Sequence, residues 1–402
     1  MPPAVPIRPV PRLLGPLLFR RLAAYPVVVI TGPRQSGKTT LARSAAPNAT
    51  YLSLEDPDTR NFASEDPRGF LGQLGPQTIL DEVQRCPSLF SYLQGAIDAD
   101  PRPGRFLLTG SSQFEMLDSV TQSLAGRASL LTLLPFSLGE LRASGKPVAS
   151  IETLLQEGLF PRIHDRGIPA ADWIQDYVAT YVERDVRQIL RIHDLASFQR
   201  FLGLCAGRIG QLVNVASLAA DSGITRVTAD AWLSVLEASH LIFRVQPWFT
   251  NLSKRLLKTP KLYFCDPGLA AWLIGIRQPA HLMAHPLRGP LFENWIMTEL
   301  LKARLHCGLR PGLHYLRDKE GNEVDAFIET APNKGHAVEV KSGSTIASDF
   351  FDGLDYWRRN LSGIEVHPWL VYGGETRQDR DRGTALPWTA LDTLLEAIAK
   401  PV

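Results

Sequence analysis

"VVVITGPRQSGKTT", residues 27–40, joins an unbroken apolar run to a glycine-bearing turn. Every position of Val27–Ile30 is apolar, rather than every second one, which is the pattern of a strand buried on both faces. The stretch Gly32–Thr39 fits G-x-x-x-x-G-K-[ST], with a strand before it and a helical pattern after it. Glycines there let backbone N–H groups approach phosphate oxygens. A lysine brings a point charge to the β/γ-phosphates, and a threonine hydroxyl can ligate Mg2+. The nucleotide candidates are therefore Gly32, Pro33, Arg34, Gln35, Ser36, Gly37, Lys38, Thr39 and Thr40.

Four more apolar runs follow, at residues 50–54, 77–81, 105–110 and 128–134, separated by helical or loop stretches. Five such runs with crossovers predict a compact α/β unit around a parallel sheet. The third run ends in "TILDEV", where Asp81 can hold Mg2+ or its water and Glu82 can polarise an attacking water. "LLTGSS" ends the fourth, and Ser111 or Ser112 either orients that water or simply terminates a strand. Arg127, just before the fifth run, suits charge stabilisation at a neighbour's γ-phosphate; the alternative is a surface cation.

Totals narrow the class. The chain has 402 residues, enough for two or three domains, and its net charge of +2 excludes a globally basic nucleic-acid binder. Cys86, Cys205, Cys265 and Cys307 are scattered, which argues against structural zinc and fits a reduced, cytoplasmic setting. The opening "MPPAVPIRPVPR" lacks the apolar core of a signal peptide, and no run reaches a membrane-spanning length, so no membrane partner is expected.

Beyond the sheet, the pattern divides into an arm (1–24), a core (25–141), a helical lid (142–205), a helix-turn-helix with a following strand (206–276) and a C-terminal α/β unit (286–402). In the helix-turn-helix, Ala229, Trp232, Leu233 and Leu236 make one apolar face, and the order is that of a winged helix. Arg226, Lys254, Arg255, Lys258 and Lys261 are candidate phosphate contacts for DNA; the alternatives are a solvated loop or a packing module. In the C-terminal unit, "LFENWIMTEL" carries Glu293, "GNEVDAFIE" Asp325, and "HAVEVKSG" Glu339 and Lys341. Period-two geometry puts Glu339 and Lys341 on one strand face, and Asp325 joins them if its strand is adjacent. Asp325 and Glu339 then offer oxygens to Mg2+ or Mn2+. The alternative is a solvated strand face with a Glu–Lys pair.

Taken in order, GPRQSGKT, TILDE, LTGSS, SLAGR and PFS-x-x-E resemble the AAA+ superfamily, and more narrowly a prokaryotic group of AAA+-type ATPases; residues 25–141 carry the match. The resemblance implies ATP and Mg2+, with Lys38 and Thr39 as the Walker A pair and Asp81 and Glu82 as the Walker B pair. It also implies Ser111 as a sensor, Arg127 as a finger acting in trans within a ring, and Arg162 of "GLFPRI" as a lid arginine. The C-terminal helix, D and E-x-K pattern resembles the restriction-endonuclease-like superfamily, although Val324 stands where a proline usually precedes the aspartate. The expected fold is thus a P-loop AAA+ parallel sheet with helical lid, winged helix-turn-helix and endonuclease-like α/β domain. The expected function is a homo-oligomeric ATPase handling branched or single-stranded DNA, with possible nuclease activity. A nucleotide-dependent scaffold binding a protein partner is the alternative.

Overall fold

The computed structural model describes residues 10–111, 123–146, 148–182, 194–248 and 259–400. β1 (Val27–Thr31), β2 (Thr50–Ser53), β3 (Thr78–Asp81), β4 (Phe106–Thr109) and β5 (Ala128–Thr132) form a sheet in the order β2-β3-β4-β1-β5. All four pairings are parallel. The valines of β1 divide by parity. Val27 and Val29 pack with Phe90, Leu93 and Ile97, while Val28 and Ile30 pack with Leu14, Leu18 and Leu41. Each of these β1 side chains is fully buried, a contribution of about 1.5–3 kcal/mol apiece. Burial on both faces is what the unbroken apolar run required.

Past β1 the chain turns sharply. Gly32 has φ 141°, and a Cβ there would run into the carbonyl oxygen of Leu133. Gly37, at φ 94°, opens the helix Lys38–Ala45 from a left-handed conformation that a side chain would strain. The turn therefore sits at the carboxyl ends of the parallel strands, where open α/β sheets bind ligands.

Helices Ile151–Glu157, Pro161–Arg166, Ala170–Tyr177 and Leu195–Ala206 follow. The next pair, Val215–Ser222 and Arg226–Ala238, starts at Asn214 and Thr225, whose side chains accept from the backbone N–H groups of Ser217 and Thr228. Trp232 meets Phe198 and Phe201 edge-on with centroids 5.2 Å apart, so the apolar face expected of this helix is a packing face.

The hairpin that follows departs from a free wing. β6 (Ile242–Pro247) pairs antiparallel with β7 (Lys261–Phe264), but Gln246 and Pro247 continue into parallel pairing with His314 and Tyr315 of β8 (Leu313–Arg317). Trp248 donates its backbone N–H to Tyr315 and sets its ring 5.0 Å from Phe327, burial that a solvent-facing wing would forgo. β9 (Glu323–Ala331), β10 (Lys334–Lys341), β11 (Glu365–Tyr372), β12 (Gln378–Arg380) and β13 (Gly383–Pro387) complete one eight-stranded sheet, β12-β13-β11-β10-β9-β8-β6-β7. Helix Arg288–His306, buried along most of its length, packs between this sheet and the ATPase-like core.

Candidate functional site

A cavity of about 580 Å3 opens at the turn after β1, lined by Lys38, Thr39, Asp81 and Glu82 on the sheet side and by Arg162 and Arg166 on the lid side. Lys38 is 5% exposed, and its Nζ donates to the carbonyls of Gly32 (2.9 Å) and Pro33 (2.8 Å). Burial lowers its ammonium to about 8. Such a desolvated cation, held by loop carbonyls, is poised for a polyanion.

Thr39 Oγ1 donates to both carboxylate oxygens of Asp81, at 3.1 and 3.0 Å. Tyr51 donates its hydroxyl to Asp81 Oδ2 at 2.7 Å, and Thr109 donates its own to Asp81 Oδ1. Burial first, then the bond to Asp81, pushes the Tyr51 phenol up to about 12. The Thr39 hydroxyl and Asp81 carboxylate form an oxygen pair of the kind Mg2+ prefers, and they fit such an ion. Glu82 has φ 53°, an unusual conformation for a side-chain-bearing residue. The amide of Gln84 and the hydroxyl of Ser111 (3.3 Å) both donate to its Oε2. Ser111, expected to orient the attacking water, thus stands beside the Glu82 carboxylate; Ser112 lies outside the described residues. Gln84 carried no motif signal, since it is recognisable only by what it touches.

Arg12 was also missed. Its Nη1 donates to the Ser36 carbonyl (2.7 Å), Nη2 to that of Leu134 (2.5 Å), and Nε to Glu140 Oε1 (3.1 Å). Glu140 closes a capping box with Ser137 and accepts the N–H of Leu13 at 2.6 Å. Burial alone raises the Glu140 carboxyl, but Arg12 beside it holds it below the usual range. The arm also walls a side cavity of about 190 Å3 with Gly37, Thr40, Phe136 and Pro161. A proline-rich opening hid this brace on the phosphate loop.

Arg127 is outside the cavity. It pairs with Asp98 through Nε (2.6 Å) and Nη2 (3.0 Å) on the outer surface at the start of the edge strand β5. Within its own chain it reaches none of the residues around Lys38.

A second polar centre lies in the C-terminal half. Glu293, on helix Arg288–His306, meets Asp325 of β9 and Glu339 and Lys341 of β10, as adjacency of the strands required. Asp325 Oδ2 accepts from the backbone N–H of Val340 at 2.8 Å, and Lys341 Nζ lies 2.5 Å from Glu339 Oε1. Burial, then the Asp325 charge, pushes the carboxyls of both Glu293 and Glu339 up. Lys261 enters from β7: its Nζ is 2.6 Å from Glu323 Oε1, 3.3 Å from Glu293 Oε1 and 3.6 Å from Asp325 Oδ1. Two expectations change here. Lys261 is 3% exposed, so it is a buried ion-pair partner and not a DNA-phosphate contact. The expected Mg2+ or Mn2+ at Asp325 and Glu339 finds no support, because no group of three or more His, Cys, Asp or Glu among the described residues is arranged to hold a metal. Of the other DNA candidates, Arg226 is on the surface near Asp230, 3.8 Å away; Lys254, Arg255 and Lys258 lie outside the described residues.

Helix Arg288–His306 touches the C-terminal cluster at one end and the segment beside the Arg12 brace further along. Glu293 sits in the C-terminal cluster, whereas Glu299 Oε2 accepts the N–H of Leu138 (3.0 Å) and Lys302 Nζ donates to the carbonyl of Phe136 (2.7 Å), beside Arg12. No helix among the described residues is long and apolar enough to cross a membrane.

Residues 24–142 match the AAA domain family, and residues 148–280 and 288–391 match two domains of unknown function (DUF8612 and DUF4143). The chain is 32% identical over 333 residues to "Uncharacterized protein Rv2008c" of Mycobacterium tuberculosis and, with the same figures, to "Uncharacterized protein Mb2031c" of Mycobacterium bovis. The match covers 82% of this chain and 73% of each relative. Among solved structures, the Walker-type ATPase PABY2304 of Pyrococcus abyssi is 16% identical, covering 66% of this chain and 98% of that one with a TM-score of 0.44. A single-residue variant of RuvB from Thermotoga maritima is 20% identical, covering 58% and 88%, with a TM-score of 0.29. With an AAA domain over its parallel sheet and relatives sharing most of its length, the chain belongs to the prokaryotic AAA-type ATPase family that includes Rv2008c.

Proposed function

We propose that this chain hydrolyses ATP with Mg2+ at the cavity around Lys38, as a homo-oligomer, and passes the resulting movement to its C-terminal half through helix Arg288–His306. One observation carries the proposal: Lys38, Thr39, Asp81, Glu82 and the lid residue Arg162 line a single cavity at the strand ends. Thr39 and Asp81 would hold Mg2+, which neutralises phosphate charge when bound. Lys38 exchanges the carbonyls of Gly32 and Pro33 for β/γ-phosphate oxygens. Glu82, released from Gln84, orients water and takes its proton, while Ser111 keeps the carboxylate in register. Arg162 brings lid charge to the phosphates, so nucleotide state sets lid position. Arg127, exposed at the edge strand, suits the neighbouring subunit's site.

Two substitutions test this. Lys38→Ala should abolish nucleotide binding, measured by fluorescent-nucleotide titration; unchanged affinity sinks the assignment. Glu82→Gln should bind nucleotide normally and fail to release phosphate, and turnover at the unsubstituted rate would move the base elsewhere.

The partner moved by this cycle is DNA in the finer form of the proposal. Its support is the exposed Arg226 and the basic residues Lys254, Arg255 and Lys258. A salt-dependent DNA titration separates it from a protein-binding scaffold, because only phosphate contacts give a steep salt slope. Metal-dependent cleavage by Glu293, Asp325, Glu339 and Lys341 draws no support from the geometry of that cluster.

A further inference from the structure

We propose that Lys261 is the resident cation of the C-terminal carboxylate cluster, filling the position of a divalent metal and clamping the β6–β7 hairpin to the C-terminal sheet. The inference goes beyond the ATPase cycle and stands or falls separately from it.

Three carboxylates from two elements converge on one ammonium. Glu293 comes from helix Arg288–His306, and Glu323 and Asp325 come from β9. An ammonium has three N–H donors, and Lys261 Nζ has three carboxylate neighbours, at 2.6, 3.3 and 3.6 Å. Nζ also lies over the ring of Tyr315, 5.6 Å from its centroid. The backbone of Lys261 is held on both sides, by register with β6 at Val245↔Lys261 and by a bridge to Leu212, and the residue is 3% exposed.

Each of these three carboxylates also accepts from a second protein donor. Tyr263 Oη donates to Glu293 Oε1 at 2.6 Å, Arg317 to Glu323 Oε2 at 2.8 Å, and the Val340 N–H to Asp325 Oδ2 at 2.8 Å. Glu339 pairs through Oε1 with Lys341 and not with Lys261, and its Oε2 is buried without a hydrogen-bond partner among the described residues. A hard divalent ion needs about six oxygen ligands at roughly 2.0–2.6 Å. Here one oxygen of each of Glu293, Glu323 and Asp325 already accepts from a protein donor, and a fixed positive charge stands among the three. Asp325, the aspartate of the D and E-x-K pattern, thus belongs to a charge clamp joining β7, helix Arg288–His306 and β9. Neither the hairpin nor the helix can slide on β9 without stranding a buried charge.

The test is Mn2+ binding by full-length, nucleotide-free protein, followed by electron paramagnetic resonance. Asp81→Asn is the background, which removes the oxygen pair at the P-loop from the count. With Lys261 intact, this protein should bind no Mn2+ in the millimolar range. Adding Lys261→Met should create one site, and Asp325→Asn on top should remove it. Mn2+ bound with Lys261 present and lost on Asp325→Asn overturns the proposal. So does a folded Lys261→Met protein that gains no site. If Lys261→Met fails to fold, the lysine-intact arm still decides, together with acetic anhydride labelling of the native protein. Lys261 should stay unacetylated while exposed lysines react; acetylation at their rate overturns the clamp.

Discussion

Replacing Arg12 by alanine should loosen the phosphate loop from a distance, and the size of the effect follows from burial. The Arg12 side chain is 5% exposed and that of Glu140 1%. Removing one member of a buried pair strands the other, at a cost of about 3–5 kcal/mol. Glu140 keeps the backbone donors of Leu13 and Ser137, so the lower end of that range applies. Roughly 3 kcal/mol corresponds to about a hundredfold change in a local opening equilibrium. Hydrogen-exchange mass spectrometry of the full chain reads this directly. Segments 10–22 and 31–45 should lose protection by about that factor, and affinity for ATP should fall because Ser36 loses its brace. The sign of the pH dependence is a second check. In the native protein the Glu140 carboxyl is held low, so its contribution is present above the ordinary carboxyl range and is lost as pH falls through its folded value. Without Arg12, burial raises that carboxyl, and protonation relieves the stranded charge. The gap between the two proteins should therefore be widest near neutrality and shrink on acidification. Unchanged protection of both segments, or a gap that widens toward acid, refutes the brace.

Arg127→Ala should leave nucleotide binding intact and cut phosphate release by roughly a thousandfold or more if Arg127 serves a neighbouring subunit. Mixing it with Glu82→Gln protein should restore part of the activity, and no recovery returns Arg127 to its pair with Asp98. Acid stability should depend on three histidines, His240, His306 and His336, each of which burial lowers to about 4. Folded values below the unfolded one mean stability is intact above about pH 6.5 and lost as pH falls through 4, by about 3 kcal/mol per histidine at full protonation. His306→Leu removes a ring with both nitrogens unpartnered, so the drop in melting temperature between pH 7 and pH 5 should be smaller; an equal drop would show that His306 does not titrate there.

The sequence by itself determined what short-range pattern controls. The run Val27–Ile30, the glycines at 32 and 37 and the carboxylate at the end of β3 are local requirements of a buried strand and a tight anion-binding turn. They are legible because each constraint lies within a few residues. Period-two spacing likewise put Glu339 and Lys341 on one strand face, while the approach of Asp325 waited on the pairing of β9 with β10. Tertiary structure decided the rest. Lys261 follows three other basic residues in a stretch that looks solvated, and only the pairing of β7 with β6 and of β6 with β8 carries it over the Tyr315 ring into the carboxylates. β12 and β13 went unseen because their residues, "QDR" and "GTALP", have too little apolar alternation to signal strands without the neighbour β11. Arg12 lies 128 positions from Glu140, and no local pattern reports a pairing closed over that distance. Burial of a charge is a property of what packs around it, so the same lysine or arginine reads as surface in the chain and as core in the fold.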